Sequence, residues 1–172
     1  MACESLISSY CNLFGIKGWI FRLGNVIGGR MHRGVMHDLI KKLDNDPTTL
    51  EVLGDGRQSR SFILVEDVID GILHVYKNNY EQGKPCDVYN ISTNDSADMI
   101  DVVNAITGAM NLNDITITYA GGDRGWKGDL KNVSLNINKV IELGWQPKYN
   151  SQKSIVIAAE RLVESLCTTE KA

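Results

Sequence analysis

Four segments of the chain carry residue types whose spacing could support chemistry. Arg22-Leu23-Gly24-Asn25-Val26-Ile27-Gly28 follows a short apolar run, and in open α/β sheets ligands settle at the carboxyl ends of strands. Asn25 can donate and accept hydrogen bonds there, or serve as a turn asparagine. Gly54-Asp55-Gly56-Arg57-Gln58-Ser59-Arg60-Ser61-Phe62 sets two guanidiniums after a tight turn, where they suit phosphate oxygens or stay solvated on a hairpin. Val88-Tyr89-Asn90-Ile91-Ser92 runs from a strand into a polar loop, and Asn90 and Ser92 suit helix capping better than ligand binding. Gly121 to Asp129 combines four glycines with Arg124, Trp126 and Lys127. That composition fits an anionic, planar ligand, and equally an ordinary flexible loop.

Other chemistries find less support. No phosphate-binding loop of the P-loop type occurs, and no dinucleotide glycine motif follows a first strand. Cys3, Cys11, Cys86 and Cys167 form no C-x-x-C pair and have no histidine at metal-ligand spacing, so no metal site is expected and the thiols read as reduced. No Ser-His-Asp or Cys-His arrangement stands out, and His74 falls on the polar side of its helix as a solvated residue. The formal charge of -3 argues against a nucleic-acid partner. No apolar run is long enough for a membrane span and no leader pattern opens the chain, so the expected compartment is the cytoplasm.

Alternating helical and strand-like patterns must position these segments, which makes the fold class α/β or α+β. A helix opens the chain with Leu6, Ile7, Tyr10 and Phe14 on one face and stops at Gly15. Trp19-Ile20-Phe21 reads as a buried strand. Gly34 to Leu43 reads as a helix with Val35, Met36, Leu39, Ile40 and Leu43 inward, followed by a strand at Glu51-Val52-Leu53 and another over Ser61 to Leu64. Val65, Val68, Ile69, Ile72, Leu73 and Tyr76 recur at helical spacing and give the cleanest amphipathic signal. A strand over Asp87 to Ser92 follows, then a helix on Met99, Val102, Val103, Ile106 and Met110. Ile115, Ile117 and Tyr119 alternate as in a half-buried strand. A short helix at Val140-Ile141 stops at Gly144, and a last helix carries Ile155, Ala158, Ala159, Leu162, Val163 and Leu166.

The order of the motifs is more specific than any one of them. R-x-x-N-x-x-G, G-D-G-x-x-x-R-x-F-x-x-V-x-D, Y-N-I-S, R-x-x-x-G-D and L-G-W-x-P, in that sequence, resemble the C-terminal part of the NAD-dependent epimerase/dehydratase family. These are extended short-chain dehydrogenases that act on nucleotide-sugars, and the resemblance is closest to the UDP-glucose 4-epimerase branch. It covers about Met1 to Leu166. It implies an α/β fold made of the last strands and helices of a Rossmann-type NAD(P)-binding fold plus a small C-terminal α/β substrate-binding domain. Residues 1–33 would be the Rossmann remnant and 34–166 mainly the substrate domain, with 65–92 returning to the Rossmann sheet and 167–172 a tail.

The resemblance also implies roles. Phe21, Leu23 and Asn25 would lie beside the nicotinamide of NAD, with Asn25 also holding the substrate. Gly34 and Val35 would form a lid over the nucleotide, and Val52 and Leu53 would present backbone to the base. Arg60 would grip the diphosphate, with Arg124 or Lys127 supplying a second phosphate contact and Asp129 ordering the loop or holding the ribose. The family spacing R-x-G-D is stretched here to R-x-x-x-G-D, which leaves open which cation acts. The family's catalytic tyrosine and lysine would precede Met1, so no catalytic residue is expected in this chain, and the helical start suggests part of a longer enzyme. The implied function is the binding of a UDP-sugar, or another nucleotide-diphosphate-sugar, for reversible hydride transfer through a keto-sugar. The alternatives are a dehydratase or reductase of the same family, or a non-catalytic nucleotide-sugar binding module. A homodimer through the N-terminal helix is a further expectation.

Overall fold

The computed structural model describes residues 2–80, 84–122 and 132–169, with side chains to residue 166. Helix α1 (Ala2–Phe14) ends at Gly15, whose φ of 66° is open to glycine at little cost. It is followed by β1 (Gly18–Leu23), β2 (Asn25–Ile27), α2 (Val35–Asn45), β3 (Thr49–Val52), β4 (Ser59–Arg60), β5 (Phe62–Leu64) and α3 (Val65–Asn79). The second half holds β6 (Cys86–Ile91), β7 (Ala97–Asp98), α4 (Met99–Ala109), β8 (Thr116–Tyr119), β9 (Asn132–Val133), α5 (Asn138–Glu142) and α6 (Ser151–Thr169). Among the described residues, no helix is long and apolar enough to cross a membrane.

The strands pair mostly in parallel, which requires the helical crossovers seen between them. β1 pairs with β6 from Gly18↔Cys86 to Leu23↔Ile91, β2 with β5, and β3 with β8. β4 lies between β7, antiparallel, and β9, parallel. Asp98 caps α4 through a reciprocal box with Asp101, a local signal that fixes where that helix begins.

β5 divides the apolar interior. A strand sends alternate side chains to opposite faces, and here both faces are buried. Phe62 and Leu64 join a core built from Met36, Ile40, Leu43, Leu50, Val102, Ile106, Ile155 and Leu162. Ile63 turns the other way, into a smaller core with Val68, Val75, Tyr89, Ile91, Ile137, Val140 and Trp145. The L-G-W-x-P motif closes that smaller core. Trp145 Nε1 donates to Asp70 Oδ2 at 2.8 Å, and its ring lies where a side chain at Gly71 would project, 2.9 Å from that Cβ position.

Several apolar stripes face outward instead of inward. On α3 the buried positions are Asp67, Val68, Gly71, Val75 and Asn79, while Val65, Ile69, Leu73 and Tyr76 are exposed. On α1 only Cys11 is buried; Leu6, Ile7, Tyr10 and Phe14 face solvent, and Leu13 is 75% exposed. Val35, Tyr119 and Ile141 are exposed too. Periodicity reports that a helix is amphipathic but not which neighbour covers its apolar side. His74 departs from the solvated reading: its Nε2 donates to Leu143 O at 3.0 Å, tying α3 to the end of α5.

Candidate functional site

Six of the expected site residues converge on one cavity of about 650 Å³. Asn25 opens β2, Gly34 caps α2 and Val35 begins it, Val52 ends β3 with Leu53 next along the chain, and Arg60 ends β4; all of them line it. The floor is apolar, from Ile27, Met36, Leu39 and Phe62, and the rim is polar. A pocket of apolar walls with a few placed polar groups is the usual build of a small-molecule site.

Each position has a local cause. Parallel pairing of β2 with β5 sets Asn25 opposite Phe62, and Asn25 N donates to Ser61 O at 3.0 Å, which holds the exposed side chain at the cavity rim. Gly34 has a φ of 102°, a left-handed value that lets the chain turn sharply into α2 beside the cavity. Asp46 ties α2 to β3. It accepts from Thr48 N and Thr48 Oγ1 through Oδ1 and from Thr49 Oγ1 through Oδ2. Those hydrogen bonds favour the charged form and lower its pKa to about 2. Gly54 and Gly56, at φ 85° and 79°, make the turn that returns the chain to Arg60. Arg57 is exposed at that turn and is not part of the cavity lining.

Gly24 is closely fitted at the rim. A Cβ on it would sit 2.4 Å from Ser92 Oγ and 3.3 Å from Ser61 O. Ser92 is therefore buried against the cavity wall and not a helix cap, and Asn90 donates to Asn136 O at 2.7 Å.

Phe21 and Leu23 stand apart from the cavity. Phe21 packs on Tyr89 at 6.4 Å between ring centroids, and Leu23 is exposed at the end of β1. Arg124, Lys127 and Asp129 lie outside the described residues. Lys42, Glu51, Gln58 and Asp38 also border the cavity and are not among the site residues expected from sequence. Gln58 carried a signal, since it sits inside the Gly54-to-Arg60 segment; Lys42 carried none, because its inward reach depends on how α2 meets β3.

The spacing Tyr-x-x-x-Lys occurs twice, at Tyr80 and Lys84 and at Tyr149 and Lys153, and none of the four residues borders the cavity. Tyr80 stacks on Trp19, and Tyr149 packs against the larger core. Tyr89 is no acid–base group either. Burial and the neighbouring Asp87 push its pKa up to about 12, so the phenol stays neutral. Burial works to raise the Asp87 pKa, but hydrogen bonds from Lys139 and Asn79 prevail and lower it, so Asp87 is an anion within a structural network.

A parallel α/β arrangement with its candidate site at strand ends defines the class to which a Rossmann-type enzyme belongs. Residues 1–92 match the model of the NAD dependent epimerase/dehydratase family, and the chain belongs to that family. It is 27% identical over 158 residues to a candidate UDP-glucose 4-epimerase of Methanocaldococcus jannaschii, covering 88% of this chain and 48% of that protein. It is 25% identical over 162 residues to GDP-mannose 3,5-epimerase of Arabidopsis thaliana, covering 91% and 41%. A crystal structure of a UDP-galactose 4-epimerase superposes with a TM-score of 0.83 at 28% identity, over 95% of this chain and 51% of that one. The chain thus spans about half the length of the relatives it matches.

Proposed function

We propose that this chain is the substrate-binding part of an NAD-dependent nucleotide-sugar epimerase, of the UDP-glucose 4-epimerase kind. The observation that carries the reading is convergence: Asn25, Gly34, Val35, Val52, Leu53 and Arg60, drawn from four elements or their flanks, meet at one cavity of about 650 Å³. On this reading residues 1–33, with 65–92, belong with a nucleotide-binding sheet, and most of 34–166 forms the substrate domain. The parallel pairing of β1 with β6 supports that division. The smaller core blurs its boundary, because Ile137, Val140 and Trp145 enter it from beyond residue 92.

The chain's own residues would act by binding and orientation. Arg60 offers a guanidinium for the diphosphate, and Val52 and Leu53 offer an apolar wall and a strand end for the base. Asn25, with both a donor and an acceptor on its side chain, would hold a sugar hydroxyl at the rim. Anchoring the nucleotide leaves the sugar ring as the mobile end, so that remote binding energy serves a reaction some distance away. NAD, when bound, supplies hydride acceptance and return. The exposed end of β1 at Leu23 and the adjoining Asn25 fit the flank of such a cofactor, and no residue of this chain is assigned to its phosphates.

Calorimetric titration of the chain with UDP-glucose tests the proposal. Saturable binding that Asn25→Ala weakens, with UDP alone losing less than UDP-glucose, is the expected outcome. Absence of binding at millimolar ligand in a chain shown to be folded would refute it.

A further inference from the structure

Gly18 opens β1 and lies directly opposite Cys86, the first residue of β6. Gly18 N donates to Pro85 O at 2.9 Å, which holds that register. Side chains at paired positions of adjacent strands project to the same face. A side chain at position 18 would therefore stand beside that of Cys86. Glycine leaves the space open, and Cys11 fills it from α1. Its Sγ lies 2.6 Å from the position a Cβ on Gly18 would take, with Ile7 Cγ2 at 3.6 Å. Cys11 is only 4% exposed, while Cys86 is partly open. The Cys86 thiol has the Cys11 thiol and the Ser8 hydroxyl within hydrogen-bonding reach. Burial, with Cys11 beside it, pushes that thiol up, so it rests protonated at neutral pH. Cys3, the other cysteine of α1, is exposed and about 12 Å away along the helix.

We propose that Cys11 and Cys86 form a thiol modification site, which a small-molecule disulfide such as oxidised glutathione converts to an intramolecular disulfide joining α1 to β6. The step is two thiol–disulfide exchanges. Cys86, the more open of the two, loses its proton and attacks one sulfur of the reagent. The reagent's S–S bond breaks, and one glutathione leaves as a thiol carrying that proton. Cys11 Sγ, deprotonated in turn, attacks Cys86 Sγ in the mixed disulfide, and the second glutathione leaves as a thiol. Both cysteines are oxidised, and one glutathione disulfide is reduced to two thiols. The new bond closes a long loop that contains α2 and α3, so it restricts the unfolded chain more than the folded one. It also pins the helix whose exposed face carries Leu6, Tyr10 and Phe14.

Cys3→Ser with Cys167→Ser leaves Cys11 and Cys86 as the only thiols. That chain, folded, is treated with oxidised glutathione. Its intact mass should fall by two hydrogens with no glutathionyl group retained, and peptide mapping should join the Cys11 and Cys86 peptides. Its Tm should rise by ~5 °C or more and return on reduction. Adding Cys11→Ser should stop the reaction at a mixed disulfide on Cys86, with no rise in Tm. If that variant does not fold, Cys86→Ser takes its place. With the attacking thiol gone and Cys11 enclosed, it should gain neither an adduct nor a higher Tm. A comparable rise in Tm in either single-thiol variant overturns the proposal. So does a folded two-thiol chain that keeps both thiols free, retains glutathionyl groups, or links to a second chain instead. A joined pair that lowers Tm overturns it as well, because the folded chain would then not hold the two sulfurs ready to meet.

Discussion

Arg57 and Arg60 are chemically identical and three residues apart, yet only Arg60 borders the cavity. Arg57 sits in the turn, where its N–H donates to Asp55 Oδ1 at 2.9 Å and its side chain faces water. A charge-assisted hydrogen bond contributes about 1.5–3 kcal/mol. Arg60→Ala should therefore weaken UDP binding roughly ten- to a hundredfold, with Arg57→Ala costing much less. Calorimetry on both variants decides between them, and a larger loss at Arg57 would show that the assignment is wrong. Gly24 gives a second residue-level prediction. An added methyl would meet Ser92 Oγ at 2.4 Å, in a wall where Ser92 is fully buried. Gly24→Ala should destabilise the fold by about 1–3 kcal/mol, the usual cost of overpacking. A Tm equal to that of the unaltered chain would mean that the rim is softer than its geometry suggests. Asp46 gives a third. Its pKa is depressed in the folded chain, to about 2 from an ordinary value near 3.8, so its hydrogen bonds stabilise the fold fully above that ordinary value. That contribution should fade as pH falls from about 4 towards 2. Comparing Asp46→Ala with the unaltered chain by thermal melts across this range should show two curves converging at the acid end. A constant gap would contradict the linkage.

The elements show what the sequence could and could not reveal. Strands β1 and β6 and helices α2, α3, α4 and α6 were legible because each repeats its apolar residues over several turns or along a strand. The two-residue strands β4, β7 and β9 were not, since they exist only through pairing with one another across the fold. Of the candidate site, the residues in motif segments could be read, whereas Lys42 and Glu51 owe their place to the packing of α2 on β3. Which side of α3 turns inward depends on packing in the same way. Glycine at position 71 looks like a gap in an apolar stripe, but it is the point of closest contact with Trp145, and the more obvious stripe of Ile69, Leu73 and Tyr76 faces outward. Exposed apolar faces of this kind favour association. On α1, Leu6, Tyr10 and Phe14 form such a face, and a homodimer through that helix is expected. Sedimentation of the chain should show concentration-dependent self-association, and Leu6→Glu with Tyr10→Glu should abolish it. Association unchanged in the double variant would direct attention to α3.

For the whole molecule, family membership and a formed cavity are separate from turnover. The relatives it matches are about twice as long, and none of the four residues at Tyr-x-x-x-Lys spacing borders the cavity. The chain alone is accordingly expected to show no epimerase turnover of UDP-glucose or UDP-galactose in the presence of NAD, and product above background would contradict this. The two cores that meet along β5 suggest why binding could persist without turnover: the larger core underlies the cavity and is made within this chain. The most direct test of the central claim is to map UDP-glucose onto the folded chain by amide chemical-shift perturbation during a titration. Saturable shifts are expected at Asn25, Gly34, Val35, Leu53 and Arg60, with α5 and the exposed face of α1 unmoved. Saturable shifts confined to other surfaces, or none at millimolar ligand, would contradict it.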